Sequence, residues 1–441
     1  MASADNFLLA FYTLLWVVTF ILYHYKNQYI DGGSVVIASY IIYCFFSFFT
    51  LNDEFFDSSY EHLRLFPFIY LYVMLMLALS PAIHLHRSPV KEIEDPHSKM
   101  LYVPCVVSII CILVQLPSIF LNFNSNFVNL LTDIDAGKEA YLEAFENAKS
   151  AGETISNLPA VIYNMLYDCS VFLFFFFLTR KDKKIAFLII LFLALVIGMI
   201  VPAMDGRRGT VIKAGLTVVA GYMLFRKFIS KRIDRIIQIV GIIVTVIVAI
   251  PIIAITVSRF SDRKDSPDTS RYVYWYIGQA NLYFNSYALD AGGTRNGDRT
   301  FNMVKRIISS DTPENYTERR DKYRNLNVDD MLFTTFVGDF SIDFGPLWAF
   351  IIFVVFNGWA ILHIRLRDGT IKLHQLLLVY FSLCVSLQGG MTLYMYSDTG
   401  NLAVGIMILL YIWLRSHEVL LKKFPLPHLN DKSIKTANTK F

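Results

Sequence analysis

"IAFLIILFLALVIGMIVP", Ile185 to Pro202, is a run without a single charge, flanked by "RKDKK" (Arg180–Lys184) on one side and "DGRRGT" (Asp205–Thr210) on the other. About 20 apolar residues in a helix cover the hydrocarbon core of a bilayer, so this stretch reads as a membrane span bounded by charged ends. Ten further segments repeat the pattern. They run about Phe7–Tyr23, Gly33–Thr50, Phe66–Ile83, Leu101–Phe120, Leu158–Leu178, Thr210–Phe225, Ile236–Val257, Pro346–Ile364, Leu373–Met391 and Leu402–Leu414. The expected fold is an all-α polytopic integral membrane protein of about 11 transmembrane helices. One large loop, about Arg259 to Phe340, interrupts the rhythm between the eighth and ninth.

Composition agrees. Of 441 residues, 55% are hydrophobic and only 17% charged, with mean hydropathy +0.47. Such a chain has lipid as its solvent, which excludes the soluble classes. The net charge of +4 reflects topology and not nucleic-acid binding, because most cations fall in short loops between apolar segments. Loops near Lys26, His84–Lys99, Arg180–Lys184, Arg226–Arg235 and Arg365–Lys372, with the tail from Arg415, carry 22 Lys and Arg. The alternate short loops carry five, so the positive-inside rule expects the N-terminus outside and the C-terminus in the cytoplasm. The long loop is then external. Its 12 cations escape the rule because long loops are translocated largely regardless of charge.

The organisation expected is thus eight spans over residues 1–258, the external loop over 259–340, three spans over 341–415 and a cytoplasmic tail over 416–441. The first apolar run lacks a basic leader and a cleavage site, and reads as a retained span. Cys44, Cys105, Cys111, Cys169 and Cys384 have neither CxxC nor zinc spacing and read as buried thiols. "GKEAYLEAFENAK" (Gly137–Lys149) has the pattern of a short amphipathic helix, lying on the membrane or simply solvated. The polar end, Asn430–Phe441, reads as disordered.

Three stretches could carry chemistry. "DGRRGT" opens a helix with adjacent guanidinium groups, Arg207 and Arg208, near outward-pointing amides, a natural site for a phosphate. The alternative is an arginine pair snorkelling to lipid phosphates beside Asp205. "SRFSDRKDSPDTSR" (Ser258–Arg271) brings Arg259, Arg263 and Arg271 out of the membrane beyond the eighth span, either as further anion ligands or as a solvated charge run. In "TTFVGDFSIDFGPLW" (Thr334–Trp348), Asp339 and Asp343 share one helical face, and either could take a proton from a sugar hydroxyl. They could equally pair with arginines or cap the helix. "RYVYWYIGQANLYFNSY" (Arg271–Tyr287) sets Tyr272, Tyr276, Tyr283 and Tyr287 at helical spacing, the pattern of an interfacial belt. Asp398, in "YMYSDTGN", reads as a turn or helix cap.

"DGRRG" opening a middle span, "SRF" leaving the next, "YIGQANLYFN" in the one large loop and "TTFVGDFSIDFG" before the following span together resemble bacterial O-antigen polymerases of the Wzy type. The layout resembles that family over nearly the whole chain, the motifs only over about Asp205–Gly345. The family implies a metal-independent, GT-C-like glycosyltransferase of the inner membrane with no cofactor, facing the periplasm. Its members move a growing glycan from undecaprenyl diphosphate onto the next lipid-linked repeat unit, and membrane lipid and a chain-length regulator are the further partners implied. By the resemblance, Arg207, Arg208 and Arg259 would hold the donor diphosphate. Asp339 or Asp343 would be the base, and Arg271, Tyr272, Tyr276 and Tyr283 would line the glycan path. The chain departs from many relatives in having 11 predicted spans where they are assigned about twelve. An O-antigen ligase is the nearest rival, although relatives of that type generally place a histidine in the large loop and this one has none. A lipid-linked oligosaccharide flippase is the rival from another class.

Overall fold

The computed structural model describes residues 2–27, 29–56, 60–132, 158–204, 207–261, 269–314, 316–329 and 332–423. The helix within 137–149 and the disorder over 430–441 that the sequence predicts lie outside these residues, as do Asp205 and Arg263.

The chain is mostly helical, and among the described residues eight helices are long and apolar enough to cross a membrane. Six precede the "DGRRGT" motif or end at it: α1 (Ala2–Asn27), α2 (Gly32–Leu51), α3 (Leu65–His86), α4 (Tyr102–Thr132), α5 (Leu158–Thr179) and α6 (Ile185–Met204). Helices α7 (Arg208–Phe225) and α8 (Lys231–Ser261) follow, then α9 (Thr269–Tyr283), α10 (Asn302–Ile308), α11 (Tyr316–Lys322) and α12 (Thr335–Phe344). The last three are α13 (Pro346–His363), α14 (Leu373–Gln388) and α15 (Asp398–Lys423). Large apolar side chains such as Leu113, Ile189, Ile242 and Leu409 point outward and exposed. That surface requires a lipid solvent. All 11 sequence-predicted spans are helices, but three fall outside the eight. In α7, Arg208 and Lys213 dilute the apolar face; much of α8 lies among undescribed side chains; α14 has only 16 residues.

Tyr380, Leu376, Cys384 and Leu387 are buried, and α14 is packed against α2, α3, α7 and α15, so it is a core helix. Beside it, every side chain of α5 from Val171 to Leu178 is buried. All five cysteines are buried free thiols.

One departure from an all-helical chain ties two loops together. Strands β1 (Glu92–Glu94) and β2 (Thr370–Lys372) pair in parallel, with Ile93 opposite Ile371, and so join the α3–α4 loop to the α13–α14 loop.

Much of the long 259–340 segment is packed into the bundle. Helix α9 lies along α2 so closely that a Cβ on Gly278 would sit 2.5 Å from the carbonyl carbon and oxygen of Phe46. The small residues of α2 use that proximity: Ser47 Oγ donates to Gly278 O at 2.7 Å and Thr50 Oγ1 to Tyr274 O at 3.1 Å. Gly278→Ala forces two backbones apart and is expected to cost roughly 1–3 kcal/mol or more. Gly241→Ala, where nothing lies within 4 Å, is the control. Thermal unfolding in detergent should separate the two; equal melting temperatures would show that α9 does not rest on α2.

Candidate functional site

The site begins where α14 ends. Past Gln388 the chain unwinds, and the carbonyls it frees are used by the "TTFVGDF" strip: Phe336 N donates to Gly389 O and Thr335 N to Met391 O, both at 2.9 Å. Gly389 is required, since a Cβ there would lie 2.1 Å from the Phe336 ring. Thr335 is buried with φ +64°, a left-handed conformation that a β-branched residue rarely adopts. It is held by that backbone bond, while its Oγ1 accepts from Gly338 N at 3.2 Å and starts α12. Strain of this kind costs of order 1–3 kcal/mol and persists only where its surroundings over-determine it.

Helix α12 then presents Asp339 and Asp343, one turn apart and fully buried. Two arginines with the same four-residue spacing meet them. Arg295, 1% exposed, donates from Nε to Asp343 Oδ1 at 3.0 Å and from Nη2 to Asp339 Oδ1 at 3.4 Å. Arg299 Nε lies 2.9 Å from Asp339 Oδ1. Asp343 Oδ2 is closed off by Thr300, whose amide and hydroxyl donate at 2.7 and 2.6 Å. The loop is pinned to α12 a second time by Arg295 N donating to Ile342 O at 3.0 Å. Buried charges are tolerated only when paired in this way. The two carboxylates differ: Asp343 is sealed, whereas Asp339 shares Arg299, whose side chain is 14% exposed.

A second charged cluster braces the loop. Asp298 is enclosed by Lys305, by Lys322 at 3.0 Å and by Tyr323 OH at 2.6 Å, and Lys322 also meets Asp311 at 2.7 Å. Burial would raise the Asp298 carboxyl, but hydrogen bonds from Lys305, Tyr323 and Lys322 outweigh it and hold the pKa below the usual range. The Tyr323 phenol is pushed up to about 12 by burial and by its bond to Asp298. Arg306 pairs with Asp398, which stands in the first turn of α15, and Asn401 Nδ2 donates to Thr300 O at 3.3 Å.

The sequence-predicted residues divide. Arg207 is exposed at the start of α7, and Arg208 is half-buried with its guanidinium 5.5 Å from the Tyr276 ring centre. The turn Tyr394–Tyr396 packs against α7, and Tyr396 also packs on α12, with its OH donating to Phe336 O at 3.1 Å. That turn links α7, at whose start the arginine motif stands, to α12, which carries the aspartates. Arg259 lies on α8, its side chain outside the described residues. Arg271 is held by Asp53, with Nε 2.6 Å from Oδ2. Tyr272 is buried among Phe55, Phe56 and Trp275. Tyr283 is buried, its hydroxyl accepting from Asp329 N. Arg271, Tyr272 and Tyr283 therefore hold α9 in place; Tyr276, half-buried and set edge-to-face against Phe333, borders Arg208. Among the described residues no three His, Cys, Asp or Glu side chains converge to hold a metal ion.

Sequence reasoning missed Arg295 and Arg299, although their four-residue spacing matches that of the aspartates. It also missed a charge pair inside the bundle. Asp168, in the middle of α5 and 0% exposed, lies 3.3 Å from Lys213 Nζ and accepts from Thr217 Oγ1 at 3.3 Å; Gln388 Nε2 donates to that hydroxyl at 3.0 Å. The pair joins α5 to α7 within the bundle. Its sequence signal was a lone carboxylate within an apolar span.

No family model, characterised protein or solved structure matches this chain.

Asp343→Asn breaks a buried pair and is expected to cost about 3–5 kcal/mol. Asp339→Asn should cost less, because Arg295 keeps its bond to Asp343. Unchanged unfolding of Asp343→Asn would refute the anchoring role. Because the Asp298 pKa is depressed, its contribution to stability is full above the ordinary carboxylate value of ~3.9 and lost as pH falls through the lower folded value. Asp298→Asn should flatten the acid limb of the stability profile; a limb of unchanged slope would contradict this.

Proposed function

We propose that this protein polymerises lipid-linked oligosaccharide repeat units, with the Arg295–Asp343 end of the bundle facing the periplasm. The observation that carries the reading is the turn Tyr394–Tyr396, which touches both α7, where Arg207 and Arg208 stand at the N-terminus, and α12, where Asp339 and Arg299 pair. Fixed guanidinium groups at the end of an apolar bundle suit a ligand with a hydrocarbon tail and a diphosphate head. Charge that develops on the diphosphate as the glycosidic bond breaks is stabilised by donors already in position. Arg207, Arg208 and Arg259 take that role in the proposal. Asp339, itself buried but paired with the partly exposed Arg299, is the base toward the acceptor hydroxyl in the proposal; Asp343 positions it through the shared Arg295. Tyr276 lies beside the donor head.

A second reading has its own support. A buried Asp168–Lys213 pair in the bundle interior is the kind of feature that marks transport pathways, which favours a flippase for lipid-linked glycans. A ligase differs only in its acceptor.

The test is reconstituted protein given undecaprenyl-diphosphate-linked repeat units without nucleotide sugar, with products resolved by gel. A ladder is expected from the native chain. Arg207→Ala, Arg208→Ala and Asp339→Asn should each reduce it at least 100-fold at unchanged protein level, in line with the loss of one oxyanion donor or of a general base. Ladders of normal yield from all three would overturn the assignment. Movement of the lipid-linked glycan across the bilayer without any ladder would favour the flippase.

A further inference from the structure

A cavity of about 570 Å³ opens at the other end of the bundle, among the turns Tyr29–Gly33 and Arg226–Asp234, and no part of the proposed reaction uses it. That volume falls within the range of ordinary ligand sites. Its floor is apolar, formed by Leu85 of α3 and by Val379 and Leu383 of α14. Its rim is basic, with Arg226, Lys227 and Lys231 on the α7–α8 connection. A neighbouring cleft shares Tyr29, His86 and Lys227 with it and adds Arg87. Arg226 is paired with Asp234 at 3.5 Å, whereas Arg87 and Lys231 form no ion pair among the described residues.

The acidic groups here are committed to the fold. Asp31 caps α2 by accepting from Ser34 N at 2.8 Å, takes a bond from Tyr23 OH at 2.7 Å and pairs with His86, whose side chain is 5% exposed. Tyr29 OH lies 3.1 Å from His86 Nδ1, so its hydroxyl edges the mouth where the cavity and cleft meet. The assembly leaves positive charge at the rim above an apolar floor, at the ends of membrane-length helices.

We propose that this cavity is a binding site for one anionic phospholipid, its phosphate held by Lys227 and Lys231 with Arg87 beside them and its upper acyl carbons resting on Leu85, Val379 and Leu383. The apolar floor decides for a lipid over a free anion. Inorganic phosphate would use the rim and leave the floor wet. Zwitterionic phosphatidylcholine carries its own cation and gains little from a basic rim. The site is independent of the glycan reaction and lies at the opposite end of the bundle from Asp339.

The experiment uses the full chain in detergent, titrated with phosphatidylglycerol, phosphatidylcholine or inorganic phosphate, with bound lipid counted by native mass spectrometry. One phosphatidylglycerol is expected to remain bound where phosphatidylcholine dissociates, and phosphate at millimolar concentration should not displace it. The double variant Lys227→Gln/Lys231→Gln should weaken phosphatidylglycerol binding about 30-fold, at about fivefold for each charge removed near the surface. Lys181→Gln/Lys183→Gln removes the same charge from the α5–α6 loop at this end and should change it no more than a few fold. Equal effects of the two double variants, equal retention of phosphatidylcholine, or displacement by phosphate would each overturn the proposal. If the first variant does not fold, photo-crosslinkable phosphatidylglycerol on the native chain decides: labels within 29–33, 82–87, 223–234 or 379–383 support the site, and labels confined elsewhere refute it.

Discussion

Two carboxylates buried one turn apart on a short helix at a bundle end have to be neutralised, and the architecture around them follows from that need. Asp339 and Asp343 draw in Arg295 and Arg299 from 40 to 48 residues away, and those arginines bring the 289–329 segment down onto α12. Once seated, the segment is braced through Asp298 to Lys305, Lys322 and Tyr323, and through Arg306 to the start of α15. Breaking one such buried partner costs about 3–5 kcal/mol, a large fraction of a typical folding free energy. Helix α12 itself depends on α14 ending early, because the carbonyls of Gly389 and Met391 are the acceptors that hold its first turn.

The two ends of the bundle are therefore built on different chemistry. At one, arginines and aspartates are locked together under aromatic cover, with Arg207 and Arg208 at the edge. At the other, lysines and arginines surround an apolar-floored cavity whose acidic groups are engaged in capping and pairing. In the proposals made above, a donor with an anionic head suits the first and an ordinary anionic lipid the second, so similar charges are assigned different ligands at the two ends.

The membrane character was legible because a span is a local property: about 20 apolar residues announce themselves wherever they occur. Legible too was that Asp339 and Asp343 share a face, since four-residue spacing is a helical rule. Their partners were not, because the pairing joins residues 40 to 48 apart through a loop with no period of its own. Tyr272 and Tyr283 have the spacing of an interfacial belt, and that spacing cannot separate a ring facing headgroups from one packed against Phe56 or capping Asp329. Gly278 looked like an ordinary glycine of a motif; only the backbone of α2 at 2.5 Å reveals why it is there. The α14 span read like the others, and its brevity goes with the unwinding past Gln388, where Gly389 and Met391 accept from α12, a tertiary fact.

The most direct test of the central claim is a cryo-electron microscopy structure of the protein in nanodiscs with an undecaprenyl-diphosphate-linked repeat unit bound. The expected result places the diphosphate within hydrogen-bond distance of Arg207 and Arg208, with the glycan running toward Asp339. A diphosphate seated instead among Arg226, Lys227 and Lys231, or lodged in the bundle beside Asp168 and Lys213, would contradict the account.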